Sequence, residues 1–156
     1  MSSLKSLLSA AILTGSMLLA AGAAGAAEIE VKMLNKGPSG MMTFEPTMVK
    51  AAVGDTVHFV VADKGHNAES IEGMLPEGVS PFAGKLNEGL IVTLEKPGVY
   101  GFRCKPHYGM GMVGMIVVGD AANEDAAKAV EHPGMAKKVF AKLFEELDTK
   151  KSASAQ

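Results

Sequence analysis

A mainly β domain, a sandwich of short strands finished by two C-terminal helices, is the fold class this sequence predicts. Three features predict it. Short runs alternating apolar and polar residues, punctuated by glycine and proline turns, fill the middle of the chain. Beyond Ala121 the β-branched residues thin out in favour of Ala, Lys and Glu, which prefer helix. The last segment then repeats its apolar residues at helical spacing.

Taken in order, residues 1–26 are expected to be a leader outside the fold. Lys5 is a short positive start, "LLSAAILTGSMLLAAGAAGAA" is a weakly apolar run, and Ala24-Gly25-Ala26 has the A-x-A form of a cleavage site. Cleavage is expected after Ala26, with Ala27 the second choice. A transmembrane anchor fits less well, because the Leu/Ile/Met-rich part is too short to span a bilayer. The domain then covers residues 27–156.

The first strand is "IEVKMLN", in which Ile29, Val31 and Met33 alternate with Glu30 and Lys32. "KGPSG" breaks it. "MMTFEPTMVKAAVGD" holds two extended pieces split by Pro46, and Gly54-Asp55 turns into "TVHFVVAD", with Val57, Phe59 and Val61 on one face. His58 alternates away from the core and reads as a structural surface histidine. Residues 64–89 lack periodicity, and a loop of that length is expected to be functional or to carry a small helix. "LIVTLEKPGVYGFRC" resumes the strands with a hairpin expected at Pro97-Gly98, and "GMIVVGD" is apolar throughout, as a central strand would be. A short helix is expected over Glu124–Glu131. A longer amphipathic one starts near His132-Pro133-Gly134, with Ala136, Val139, Phe140, Leu143, Phe144 and Leu147 on its apolar face and a frayed "KKSASAQ" tail. Its polar face mixes both charge signs, so it is expected to pack on the sandwich rather than on a membrane.

Composition narrows the function. Without Lys5 the domain carries 14 basic against 17 acidic side chains, which argues against nucleic acid as a partner. Cys104 is the only cysteine, so an exported chain offers it no intramolecular disulfide partner. Such a thiol is buried and inert, bridges two chains, or belongs to a metal.

The neighbours of Cys104 favour the metal. "CKPHYGMGM" places Cys104, His107 and Met112 in one loop as C-x2-H-x4-M, and "DKGHNAES" offers His66 from another. Two imidazoles, a thiolate and a weak axial thioether form the ligand set of blue-copper electron-transfer sites. A thioether suits neither structural nor catalytic zinc. A catalytic cysteine paired with His107 lacks an orienting carboxylate and a helix N-terminus. Four protein ligands leave no open position for a substrate, so the chain is expected to be an electron carrier and not an enzyme. Asn67 is expected to donate its backbone N–H to the thiolate and to tie the two ligand loops with its side chain.

The segments "IEVKMLNKG", "FEP", "GDTVHF", "DKGHNAESI", "PEG" and "CKPHYGMGM", with the two C-terminal helices, resemble the pseudoazurin branch of the cupredoxin family across the whole chain after the leader. The resemblance implies a cupredoxin-like Greek-key β-sandwich and a monomeric periplasmic carrier of single electrons. It also implies one type 1 copper ion on His66, Cys104, His107 and Met112, and copper nitrite reductase or c-type cytochromes as partners docking near His107. Lys36, Lys64, Lys85, Arg103 and Lys105 flank the ligand segments and are expected to form a basic ring that steers an acidic partner. Met42 and Met110, with Pro38, Pro106 and Gly109, fit a docking patch and ordinary loop packing equally well. Copper storage or delivery is the rival reading, and it calls for exchangeable, exposed sites.

Overall fold

The computed structural model describes residues 25–154. The expected leader lies outside that range except for its last two residues. Among the described residues, eight strands form two four-stranded sheets. The first is ordered β2 (Gly40–Glu45), β1 (Glu28–Gly37), β4 (Thr56–Val61), β6 (Leu90–Thr93); the second is β3 (Met48–Ala51), β8 (Val113–Val118), β7 (Gly98–Arg103), β5 (Glu69–Ser70). β1–β4 and β3–β8 are parallel and the other pairs antiparallel. Pro46 has no N–H to give a ladder, and there the chain leaves β2 and enters β3 in the opposite sheet.

Between the sheets lies a core that includes Val31, Met33, Phe44, Val57, Phe59, Tyr100, Phe102 and Ile116, and Cys104 and Met112 belong to it. A second core lies on the outer face of the β7–β8 sheet, where Ala136, Phe140, Leu143, Phe144 and Leu147 of α2 (Gly134–Ser154) cover Val99, Val113, Met115 and Val117. That cover explains the unbroken apolar run of β8, whose six residues are all buried. The longer helix thus packs on the sandwich, and it stays helical through Ser154 rather than fraying at Lys150.

Of the two alternatives expected for residues 64–89, the helix does not form: the segment carries β5, a bridge between Glu69 and Ala83, and His66. One further expectation is corrected. Pro97-Gly98 is not a hairpin, because β6 pairs with β4 and β7 with β8 in different sheets. The connection crosses the end of the sandwich, held by the buried Tyr100, whose O–H donates to Lys96 O at 2.7 Å and accepts from Lys96 N at 3.1 Å. Turn residues mark a change of direction; which sheet the chain enters depends on distant partners.

The short helix α1 (Glu124–Lys128) is locked to α2 by charge. Glu124 is buried, with Lys128 Nζ 2.7 Å from its Oε1 and Lys151 on Oε2, while Lys128 also reaches Asp148 at 3.0 Å. Burial alone pushes the Glu124 carboxyl up; its bonds from Lys128 and Lys151 outweigh that and hold it down to about 2. A depressed carboxylate contributes stability that is present above its ordinary value near 4.5 and is lost as pH falls toward about 2. Glu124→Gln is therefore expected to destabilise the neutral protein by about 1–2 kcal/mol, since both lysines remain partly solvated. It should also flatten the acid limb of stability between those values. Superimposable acid-unfolding curves for the two proteins would refute this.

Candidate metal centre

The ligand loop is a tight turn between β7 and β8. Cys104 follows the last residue of β7, Met112 precedes the first of β8, and a single 3-10 turn (Tyr108–Met110) lies between them. The loop closes on itself through Cys104 N–H to Met112 O at 2.9 Å, His107 N–H to Cys104 O at 3.2 Å and Met112 N–H to His107 O at 3.2 Å. Gly111 closes the turn with φ +93°, a left-handed conformation that other residues adopt only under strain.

His66 comes from the loop after β4 and is fully buried, as are Cys104 and Met112. His107 is half-buried and carries the edge that reaches the surface. The structure brings three of the four expected ligands together by their donor atoms. His66 Nδ1 and His107 Nδ1 are 3.1 Å apart, and Cys104 Sγ lies 3.7 and 3.5 Å from them. The point equidistant from all three is about 2.0 Å from each, which matches the roughly 2.0–2.3 Å of metal–nitrogen and metal–sulfur bonds. His66, Cys104 and His107 therefore fit a single metal ion and would hold it. Met112 stands in the same loop, buried against that core.

Two residues supply supports that spacing alone did not reveal. Asn35, on β1, accepts at Oδ1 from His66 Nε2 at 3.0 Å, which keeps the imidazole proton on Nε2 and leaves the Nδ1 lone pair facing the cluster. Asn87 accepts the Gly65 N–H at 2.5 Å and donates its own N–H to His66 O at 2.8 Å, bracing the loop that presents His66. Nothing in the sequence near Asn35 or Asn87 marks them. Asn67 ties the two ligand loops as expected: its Oδ1 accepts from Lys105 N at 2.8 Å and its Nδ2 donates to Gly84 O at 3.1 Å.

The electrostatics suit a metal rather than a nucleophile. Burial pushes the Cys104 thiol up, against the pull of the Asn67 and His107 backbone N–H groups, so without a metal the sulfur keeps its proton at neutral pH. Burial and then the His107 ring lower His66, partly countered by Asp63, which favours the neutral imidazole a metal requires. Two surface clefts, of about 540 Å³ beside Lys50 and Leu147 and about 530 Å³ between α1 and α2, are lined by none of these donors. His58 sits half-buried on β4 beside Thr56 Oγ1, outside the cluster.

Removing the Asn35 support is expected to matter. Asn35→Leu should weaken metal binding about 10–100-fold, the usual effect of losing an outer hydrogen bond to a ligand. Competition titration against a chelator measures it, and an unchanged affinity would show that His66 needs no such partner.

Comparisons with known proteins agree with this chemistry. The family of copper binding proteins described as plastocyanin/azurin matches residues 31–119. A pseudoazurin of Paracoccus pantotrophus is 54% identical over 122 residues, which cover 77% of this chain and 84% of that one. A solved pseudoazurin from Sinorhizobium meliloti is 50% identical with a TM-score of 0.76, covering 78% of this chain and 96% of its own. Another, from Methylobacterium extorquens AM1, is 46% identical with a TM-score of 0.75, covering 77% and 98%.

Proposed function

Because this chain belongs to the plastocyanin/azurin family of copper-binding proteins, and within it to the pseudoazurins, we propose that it carries electrons singly through one type 1 copper ion held by His66, Cys104, His107 and Met112. The observation that carries this reading is the spacing of the three donor atoms around one centre, with the His66 tautomer fixed by Asn35. Copper there supplies a one-electron couple between its two common oxidation states. The protein's part is to hold the donors still. Three of them sit in a loop closed by its own backbone bonds and the fourth in a loop braced by Asn87, so little rearranges when charge changes. Burial of His66, Cys104 and Met112 keeps water out, and the half-buried His107 edge is the exit for the electron. Intense visible absorption, reversible one-electron cycling and slow copper loss to a chelator are the expected results. Ready loss of copper would identify a delivery protein instead.

The partner reading is an acidic redox protein, copper nitrite reductase or a c-type cytochrome, docking over His107. Met110 is 56% exposed on the ligand loop, which favours a surface role for it, whereas Met42 is partly buried against the core. Lys36, Lys64 and Lys105 are exposed beside the site. Lys85 has Glu88 4.0 Å away. Arg103 is drawn out of the ring, because its Nε and its terminal NH2 nitrogen both lie 2.8 Å from Glu69 Oε1. Charge reversal at Lys36 and Lys64 is therefore expected to slow electron transfer at low salt, whereas reversal at Arg103 perturbs the site itself. Rates independent of salt would end the steering argument.

Export to the periplasm, with cleavage after Ala26, completes the proposal. Asp55 supports it: its carboxylate accepts the Ala52 and Ala27 N–H groups, each at 2.8 Å, and these bonds lower its pKa. Cleavage after Ala26 would turn the Ala27 nitrogen into an ammonium already seated on an anion.

A further inference from the structure

We propose that His132 is a positioning residue for the ligand loop, the end of a strut through which the C-terminal helices hold His107 in place. The inference rests on the copper reading of the site and extends it to a residue remote from the metal ligands in sequence.

The strut can be followed contact by contact. Tyr108, the residue after His107, has its Oη 2.7 Å from His132 Nδ1. The His132 ring stacks on Phe140 of α2, with centroids 4.2 Å apart and planes at 27°. On the other side the Arg103 guanidinium lies 4.7 Å from the centre of the Tyr108 ring, and Arg103 is held by Glu69. Glu69 Oε2 accepts from Asn67 Nδ2 at 3.3 Å, next to His66. One continuous chain of contacts thus runs from the second core, around the outside of the ligand loop, to the other ligand-bearing loop.

The backbone shows the same close approach. A Cβ at Gly134, the first residue of α2, would lie 2.4 Å from Gly109 O, and one at Gly111 would lie 3.2 Å from Met135 Cβ and Val139 Cγ2. The helix start is pressed against the loop that carries His107. His132 itself is costly: its Nε2 is buried with no hydrogen-bond partner, so a phenylalanine of similar shape would suit the packing better. A histidine where a phenylalanine could make the same stack is explained by what its other nitrogen does for Tyr108. Burial lowers the His132 pKa, so the ring is neutral at pH 7 and joins Tyr108 without adding a third cation to Arg103 and Lys128.

The test compares His132→Phe, Tyr108→Phe, the double variant and His132→Gln, whose amide can take either hydrogen-bonding role. In the metal-free chain, hydrogen exchange at the Met110, Gly111 and Met112 amides is expected to speed about tenfold or more in His132→Phe, with Val31 and Met33 unchanged. In the copper-loaded protein, copper loss to a chelator is expected to speed about 10–100-fold. The double variant should lose no more than either single one, and His132→Gln should recover most of the effect. Loop exchange within twofold of the parent in His132→Phe, or effects of the two single variants that simply add, would overturn the proposal. If the parent chain fails to retain copper, the copper reading falls, while the amide exchange still decides whether the strut orders the loop.

Discussion

Cys104→Ser is expected to abolish the visible absorption of the oxidised protein and to lower its copper affinity by roughly two orders of magnitude or more, while far-UV circular dichroism stays as in the parent. The colour needs a thiolate bound to the metal. A serine hydroxyl keeps its proton at any ordinary pH and offers a hard oxygen where the site presents a soft donor. The fold should survive, because serine is close in size and the loop around position 104 is closed by main-chain bonds such as Cys104 N–H to Met112 O. The remaining His66 and His107 nitrogens, 3.1 Å apart, still face one point, so weak colourless metal binding is expected to persist. A retained intense band would mean that Cys104 is not a ligand. Copper uptake by the parent should also release a proton and weaken as pH falls, because burial keeps the free thiol protonated.

The second large effect is expected from Gly114→Ala. Gly114 lies in β8 two residues after Met112, and an added Cβ would be 2.5 Å from Phe102 Cζ and 2.6 Å from Thr47 O. Neither neighbour has room to give. Phe102 is wedged edge-to-face between Phe44 and Phe59, each with its ring centre 4.9 Å away, and Thr47 O is held by the Met115 N–H at 2.9 Å. Overpacking of this kind costs about 1–3 kcal/mol in cores that can relax, and this site should fall at or above the upper end, about 3 kcal/mol. Urea unfolding of the metal-free protein measures it. A midpoint equal to the parent's would show that the aromatic cluster is looser than its geometry.

Periodicity and spacing made much of this readable in advance. The alternation of Val31 and Met33, and of Val57 and Phe59, placed strands whose inward faces are indeed buried. The apolar stripe of α2 placed Phe140, Leu143, Phe144 and Leu147 against a sheet, as they are. The C-x2-H-x4-M loop pointed to soft ligands because a tight turn fixes how its own side chains face one another. The hairpin expected at Pro97-Gly98 failed for the opposite reason. A turn is local, but sheet membership is set by pairing with strands far along the chain.

The same division of range separates what the sequence by itself determined from what only the tertiary structure decided. Fold class, strand faces, the amphipathic helix and the pairing of Cys104 with His107 follow from residue type and near spacing, where chain geometry alone sets the neighbours, whereas His66, 38 residues before Cys104, meets them only through the packing of the two sheets. The choice of His66 tautomer by Asn35, 31 residues away, depended on how the sheets and loops pack. So did the pairing of Arg103 with Glu69, 34 residues away, and the bond from Tyr108 to His132, 24 residues away. Hydrogen bonds of this kind carry no local pattern, because a polar side chain finds its partner only after burial has brought the two together.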